Sequence, residues 1–393
     1  MTLRQLKGWY YAIAACNTVA TTYYLNYLFF YLHDRFGFGN RGNLLVAALH
    51  GATYIGAAWF GGRFAQKRGY LTSLAVGFSG LALCTGVAYV VDSAVGQVLL
   101  IVPYTWALLL TWPALEALVI EHEPAPRVPH MVGIYNLTWS LAMAVSYFTG
   151  GRLYDALGHR AIFIVPGVIF AALVAVLAWL GPRAARVRST DPSVADPEPE
   201  ARALEGRVAP QAFLRLAWIA NPFAYMAMYT VLAVMPDLAR RLGLSPTRVG
   251  LFCSVWFFSR VAAFAVLWLW TGWHYRFRWM VTAFAAIIVS FVSILLAPSL
   301  IVMVLAQVFF GLSAGLIYYS SLFYAMDVGE AKGEHGGLHE AAIGIGICAG
   351  PAVGALSLQL WPDVPRANAL AVGALLLSGF AALIGSWVRA SKG

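Results

Sequence analysis

The sequence predicts an all-α membrane protein, with twelve transmembrane helices in two pseudo-symmetric six-helix bundles. Three observations carry that expectation: twelve long apolar stretches, a single polar interruption with six of them on either side, and very little charge. Of the 393 residues 61% are hydrophobic and 11% are charged, where a soluble domain carries about 25% charged residues. So few charges cannot cover a globule of this size in water, whereas a lipid-facing surface needs none.

The stretches fall at 9–32, 43–61, 71–91, 97–120, 131–151, 161–181, 215–236, 249–273, 279–297, 299–326, 339–361 and 368–388. Each approaches the roughly 20 residues a helix needs to cross a bilayer core. In the first, Ile13-Ala14-Ala15-Cys16 resembles a lipoprotein cleavage box, but the apolar run continues to Leu32, so it reads as an uncleaved span. Asn17, Thr21, Tyr24 and Tyr31 recur there at helical spacing. The second holds His50, and the fourth holds Glu116 in its inner half. In the fifth, Asn136-Leu137-Thr138 matches a glycosylation acceptor that a membrane span would hide. Asn221, Tyr225 and Tyr229 share a face of the seventh, and Arg260 sits near mid-depth in the eighth. The tenth carries Gly311-x-x-x-Gly315, a spacing that lets helices pack closely, followed by Tyr318 and Tyr319. Cys16, Cys84, Cys253 and Cys348 all fall inside spans and read as packing residues rather than disulfide partners.

The interruption begins PRAARVRSTDPSVADPEPEARALEGR, too polar for lipid and too poor in large apolar residues to fold alone. It divides the chain into an N-terminal bundle at 1–181, a cytoplasmic linker at 182–214 and a C-terminal bundle at 215–393. The net charge of +9 invites a nucleic-acid reading, but its distribution argues against one. With the N-terminus inside, 17 of the 26 Lys and Arg lie on the cytoplasmic side and 8 on the other, leaving Arg260 alone in a span. That bias obeys the positive-inside rule and places both termini and the linker in the cytoplasm. The halves also match weakly at a shift of 204 residues, Gly133-Ile134-Tyr135-Asn136 falling on Gly337-Leu338-His339-Glu340. Repeats of six helices are a common ground plan of alternating-access transporters.

The strongest local motif follows the second span: Gly61-Gly62-Arg63-Phe64-Ala65-Gln66-Lys67-Arg68-Gly69. Its glycines permit a tight turn, and its bases hold that turn on the cytoplasmic side. The motif and its place resemble the signature loop of the major facilitator superfamily, and with the six-plus-six layout the resemblance covers essentially the whole chain. It implies two bundles around a central cavity that opens alternately to each side, with spans one, four, seven and ten around it. There are departures. Gln66 stands where the family favours an acid, and Tyr70 and Leu71 where it favours bases. The corresponding loop of the second half, Gly272 to Arg278, keeps only basic character. The fourth span lacks the Arg of many proton-coupled members, and the fifth lacks the Gly-Pro pattern of drug/proton antiporters. A Gly-rich run at 346–354 stands in the eleventh instead. The subfamily stays open.

Charge inside hydrocarbon costs at least ~2.5–3.5 kcal/mol unless it faces a wet cavity or a partner, so ionisable residues within spans are the first candidates for a site. Arg260 offers a planar cation able to grip a carboxylate or phosphate through paired hydrogen bonds; the plainer alternative is a salt bridge between bundles. Glu116 is suited to carry a coupling proton, with His50 as a relay, and each also suits a structural hydrogen bond. Asn17, Tyr24, Tyr225, Tyr229 and Tyr318 are candidate substrate contacts in an aromatic, hydroxyl-lined pocket; interhelical hydrogen bonding is their bland alternative. Arg63, Lys67 and Arg68 facing Asp327, Glu330 and Glu340 form a candidate cytoplasmic gate. His335 and His339 stand four apart, but Gly336 and Gly337 between them read as a loop, so no metal site is expected.

The favoured function is secondary active transport of a small organic solute, an organic anion or polyhydroxylated compound, coupled to H+. Multidrug or metabolite efflux, lipid-like export and a non-transporting sensor are the alternatives. No Walker loop or nucleophile–base pair points to an enzyme, and no cofactor is expected. A monomer in the bacterial inner membrane is the expected form.

Overall fold

The computed structural model describes residues 1–124, 127–190, 209–327, 334–364 and 366–391, without the side chains of 188–190, 326, 327 and 334–338. Among the described residues every regular element is a helix, and fourteen helices make twelve crossings. The first half holds α1 (Leu3–Phe36), α2 (Asn40–Arg68), α3 (Tyr70–Val90), α4 (Ala94–Leu109) with α5 (Trp112–Ile120), α6 (Val128–Leu157) and α7 (Ala161–Thr190). The second holds α8 (Pro210–Arg241), α9 (Pro246–Cys253) with α10 (Val255–Leu269), α11 (Phe277–Leu295), α12 (Leu300–Asp327), α13 (Glu334–Leu360) and α14 (Ala367–Ala390). The predicted twelve-span, six-plus-six fold class is the one observed.

Local chemistry sets the helix ends. Thr2 and Gln5 form a capping box at the start of α1: the Gln5 amide donates to the Thr2 hydroxyl, and the Thr2 amide donates to the Gln5 side chain. Gly37 ends that helix in the left-handed region at φ 69°. The segment 61–69, expected to be a loop, is helical as far as Arg68, and the turn into α3 falls on Gly69 alone, at φ 90°. Gly61 serves packing instead, since a Cβ there would run into the Leu109 carbonyl of α4. The expected loop at Gly336 and Gly337 is likewise helical, within the first turns of α13.

Two crossings are broken. The fourth interrupts at Leu110 and Thr111, where Pro113, just inside α5, has no amide to continue the ladder of α4. The eighth interrupts at Ser254, between α9 and α10. Ten of the twelve crossings are long and apolar enough to span a bilayer by composition; those of α1 and α6 fall short. Their polar residues are turned inward: Asn17 and Thr18 are fully enclosed, and Asn136 is nearly so. Arg–aromatic stacks lie toward the helix ends. On the face that carries the termini, the Arg63 guanidinium lies 3.9 Å from the Trp59 ring centre, and that of Arg183 lies 4.1 Å from Trp179. On the opposite face Arg160 lies over Tyr89.

The halves meet along two seams, α2 against α13 and α6 against α9 and α10, with α8 closing on α1 and α2. Small residues allow that approach. Gly51 of α2 lies directly on the Cys348 backbone of α13, and Gly151 of α6 lies on the Pro246 carbonyl of α9. Within the second half, Gly311 and Gly315 are where α12 crosses α10, against Trp256 and Ala263.

Candidate functional site

Between the seams lies an internal cavity of about 130 Å³. That is close to the ~150 Å³ known to admit a benzene ring, so this conformation has room for one compact group. A larger groove of about 520 Å³ between Trp9, Trp179 and Arg183 lies on the outer surface and gathers no inward-facing polar set. The internal cavity does gather one, from both halves. α1 supplies Thr21, Thr22 and Asn26, α2 supplies His50 and Tyr54, and α5 supplies Trp112 and Glu116. Tyr135, Trp139 and Met143 come from α6, Tyr225, Met228 and Tyr229 from α8, Trp256 and Arg260 from α10, Tyr318 from α12 and Glu340 from α13.

Arg260 is 3% exposed and has no carboxylate within ion-pair distance among the described residues. Among the described residues its guanidinium donates only to thioether sulfurs, Met143 at 3.0 Å and Met228 at 3.7 Å, and Nε has no partner. Ring centres of Trp139, Trp256 and Phe264 stand 4.8, 5.7 and 5.9 Å away. Aromatic faces attract a cation, and sulfur accepts only weakly, so much of the guanidinium's donor capacity is unspent.

From Arg260 a wall of rings runs across the cavity. Trp139 meets Tyr318 edge-on at 5.5 Å, Tyr318 meets Tyr225, Tyr225 stacks on Tyr229, and Tyr229 stacks on His50 at 5.9 Å. His50 meets Tyr54, and the Tyr54 hydroxyl donates to a Glu340 carboxylate oxygen. Glu116 lines the same cavity as Glu340. One arrangement uses both hydrogen bonds of the Thr105 hydroxyl. Thr105 donates its hydroxyl proton to the Ile101 carbonyl at 2.7 Å, so its oxygen accepts from His50 Nδ1–H at 2.8 Å. In that arrangement Nε2 is a buried acceptor with no partner among the described residues.

The expected site residues divide accordingly. Arg260, Tyr225, Tyr229, Tyr318, Glu116 and His50 come together on this cavity. Asn17 and Tyr24 do not, which corrects their expected place. Asn17 donates to Thr111 Oγ1 at 3.1 Å, and Tyr24 packs on Tyr104 with ring centres 4.3 Å apart. At about 100° per residue, Asn17 and Tyr24 are turned by roughly a third of a circle from the middle of the cavity face of Thr21, Thr22, Leu25 and Asn26, with Thr21 at the edge the two share. Glu340 was expected at a cytoplasmic gate, in a loop; it is instead on α13, in the cavity, bonded to Tyr54. Arg63 is stacked on Trp59, and Lys67 and Arg68 form the last turn of α2. Glu330 and the Asp327 side chain lie outside the described residues. Trp139, Tyr135, Tyr54 and Trp112 were missed. For Trp139 a signal existed: a Trp at mid-span rather than at the interface, three residues after Asn136, whose side chain accepts its indole N–H at 2.9 Å.

Known proteins offer several comparisons. Among curated proteins none matches the sequence. The nucleoside transporter NupG has a similar structure, with a TM-score of 0.69 at 12% identity over 97% of this chain and 99% of its own. A bacterial homologue of the human drug peptide transporters PepT1 and PepT2 superposes with a TM-score of 0.73 at 15% identity, covering 99% of this chain and 98% of its own. A bacterial homologue of the human lysosomal transporter Spinster, solved in an inward-facing and unoccupied conformation, gives a TM-score of 0.67 at 12% identity over 99% of this chain and 95% of its own. At such identities these likenesses speak for the fold alone. The sequence itself matches the description "Major Facilitator Superfamily" over residues 105–351, well over half of its length. With that match, a twelve-span fold and a polar cavity between two six-helix halves, the chain belongs to the Major Facilitator Superfamily of membrane transporters.

Proposed function

We propose that this transporter is a secondary active carrier of a small organic solute bearing an anionic group, coupled to protons and working by alternating access. The observation that carries this reading is Arg260: a buried guanidinium on the central cavity whose protein contacts are sulfurs and ring faces. Burying an unpaired charge is costly, and a bound carboxylate would supply the paired hydrogen bonds that the cation lacks. Tyr225, Tyr229 and Tyr318 flank the solute, and Glu116, with His50 beside it, carries the coupling proton. The bundles 1–181 and 215–393 rock about the linker 182–214. Arg63, Lys67 and Arg68 work with Asp327 and Glu330 as a gate on the cytoplasmic face. The carrier acts as a monomer in an inner membrane with both termini in the cytoplasm.

The test is a thermal-shift screen of the purified chain against carboxylates, phosphates, sugars, nucleosides and cationic drugs, with Arg260→Met in parallel. A ligand of the native state raises Tm by mass action. Anions should raise the Tm of the native chain and not that of the variant; a shift by neutral or cationic compounds alone, equal in both, would rule Arg260 out as the anchor. For coupling, Glu116→Gln in proteoliposomes should abolish accumulation driven by a pH gradient and spare solute exchange. Gradient-driven accumulation that survives the change removes Glu116 from the coupling role.

A further inference from the structure

The cavity is charged at two ends, and its second pole is not explained by an anion alone. Arg260 stands at one end of the ring wall described above, and His50, Tyr54 and Glu340 stand at the other. Glu340 and Glu116 line the same cavity, Tyr54 spends its only proton on Glu340, and His50 Nε2 has no partner among the described residues. No Lys or Arg side chain lies within ion-pair distance of either carboxylate among the described residues. Among the described residues the one Lys or Arg on the cavity is Arg260, whose guanidinium lies by Met143, Met228 and the Trp139 face at the opposite end of the wall.

We infer that the cavity is built for a zwitterion, with the solute's carboxylate on Arg260 and its protonated amine among Glu340, Glu116 and His50 Nε2. This deepens the proposed function and rests on its assignment of Arg260 as the anion anchor. The chemistry fits the lining. An ammonium group has three N–H donors and no acceptor, and the cavity presents two carboxylates and the His50 imidazole. Tyr54, Tyr225 and Tyr229 offer ring faces, which attract a cation, between the two poles. A neutral sugar would leave both sets of charges unpaired, and a simple carboxylic acid would leave the acceptor cluster unpaired. The volume of about 130 Å³ limits the solute to a single amino-acid-sized unit in this conformation.

The experiment uses matched triplets on the purified full chain: L-phenylalanine, 3-phenylpropionate and 2-phenylethylamine, and then L-alanine, propionate and ethylamine. Each is titrated in a thermal-shift assay to give an apparent Kd. In at least one triplet the amino acid should bind about 10- to 100-fold more tightly than its acid and its amine, the effect of one charged hydrogen-bonded group. Glu340→Gln should bring the amino acid down to the level of the acid and leave the acid's own affinity in place. The glutamine carbonyl would still accept from Tyr54, so the fold is preserved. Arg260→Met should do the converse and bring the amino acid down to the level of the amine. If the acids bind as tightly as the amino acids and Glu340→Gln changes neither, the zwitterion is overturned while the Arg260-centred anion carrier stands. If no acid or amino acid binds and Arg260→Met alters nothing, both are overturned.

Discussion

Lys7 and Arg260 are enclosed to the same degree, 4% and 3% exposed, but their surroundings differ in kind. Lys7 Nζ lies 2.7 Å from a Glu123 carboxylate oxygen and donates to the Val119 carbonyl at 3.0 Å, tying the start of α1 to the end of α5. Burial holds its ammonium below the ordinary lysine value, and the hydrogen bond and charge of Glu123 work against that. Arg260 has two thioethers and three rings. Where the chain itself meets a buried charge, the residue acts as a tie between helices. Where the chain leaves it unmet on a cavity wall, the proposed function takes the counter-charge from a bound solute. The same contrast separates Glu123, answered by Lys7, from Glu116, which has no Lys or Arg within ion-pair distance among the described residues.

The largest expected effect tests the tie. Lys7→Met leaves the Glu123 carboxylate, 12% exposed, without its cation. Removing one partner of a buried pair costs about 3–5 kcal/mol. Tm should fall sharply, and the double variant Lys7→Met/Glu123→Leu should recover most of the loss. A double variant no more stable than the single one would show that the pair is not the tie. Arg260→Met is the opposite case. It orphans no acid, removes an unpaired buried charge and fills the space with a side chain of similar length. Stability should hold or rise by about 1–3 kcal/mol, while affinity for the anionic probe falls. A fall in Tm as large as that of Lys7→Met would make Arg260 a structural residue and end the comparison.

Long apolar runs made the twelve crossings legible, ten of them on hydropathy alone, and in-span charge picked out Arg260, Glu116 and His50. The helix breaks at Leu110–Thr111 and Ser254 were not legible, because an apolar run reads the same whether or not its backbone ladder is continuous. Polar stripes misled for Asn17 and Tyr24. A polar face of a membrane helix has two kinds of inner neighbour, another helix or the cavity, and spacing along one helix cannot tell them apart. Glu340 was assigned to a loop because Gly336 and Gly337 read as breakers, whereas both lie within α13. Its contact with Tyr54 joins residues 286 positions apart, beyond the reach of any local pattern.

A smaller effect sharpens the division between packing and cavity. Asn17→Ala removes the hydrogen bond to Thr111 at the break between α4 and α5, and should cost about 1 kcal/mol. Solute affinity should be unchanged, because Asn17 does not line the cavity. Tyr229→Phe, on the ring wall, should show the reverse, with weaker binding of the solute and little change in Tm. If Asn17→Ala weakens binding as much as Tyr229→Phe does, the cavity must extend to the α1–α5 contact.

The smallest expected effect separates pairing from burial. Arg35 and Asp92 form an ion pair as short as that of Lys7, 2.7 Å, but at the other face of the molecule and about half exposed. The Arg35 hydrogen bond holds the Asp92 carboxyl below the usual aspartate value. Because the folded state favours the ionised form, the pair's contribution is present above the ordinary aspartate range and is lost as pH falls through the lowered value. At neutral pH, however, water and salt screen such a pair, and exposed ion pairs contribute little. Asp92→Asn should therefore leave Tm unchanged at pH 7, with any difference from the native chain shrinking further in high salt. A destabilisation approaching that of Lys7→Met would mean that bond length alone marks a structural tie. No measurable change would leave enclosure as the property that makes Lys7 a tie and leaves Arg260 in need of a ligand.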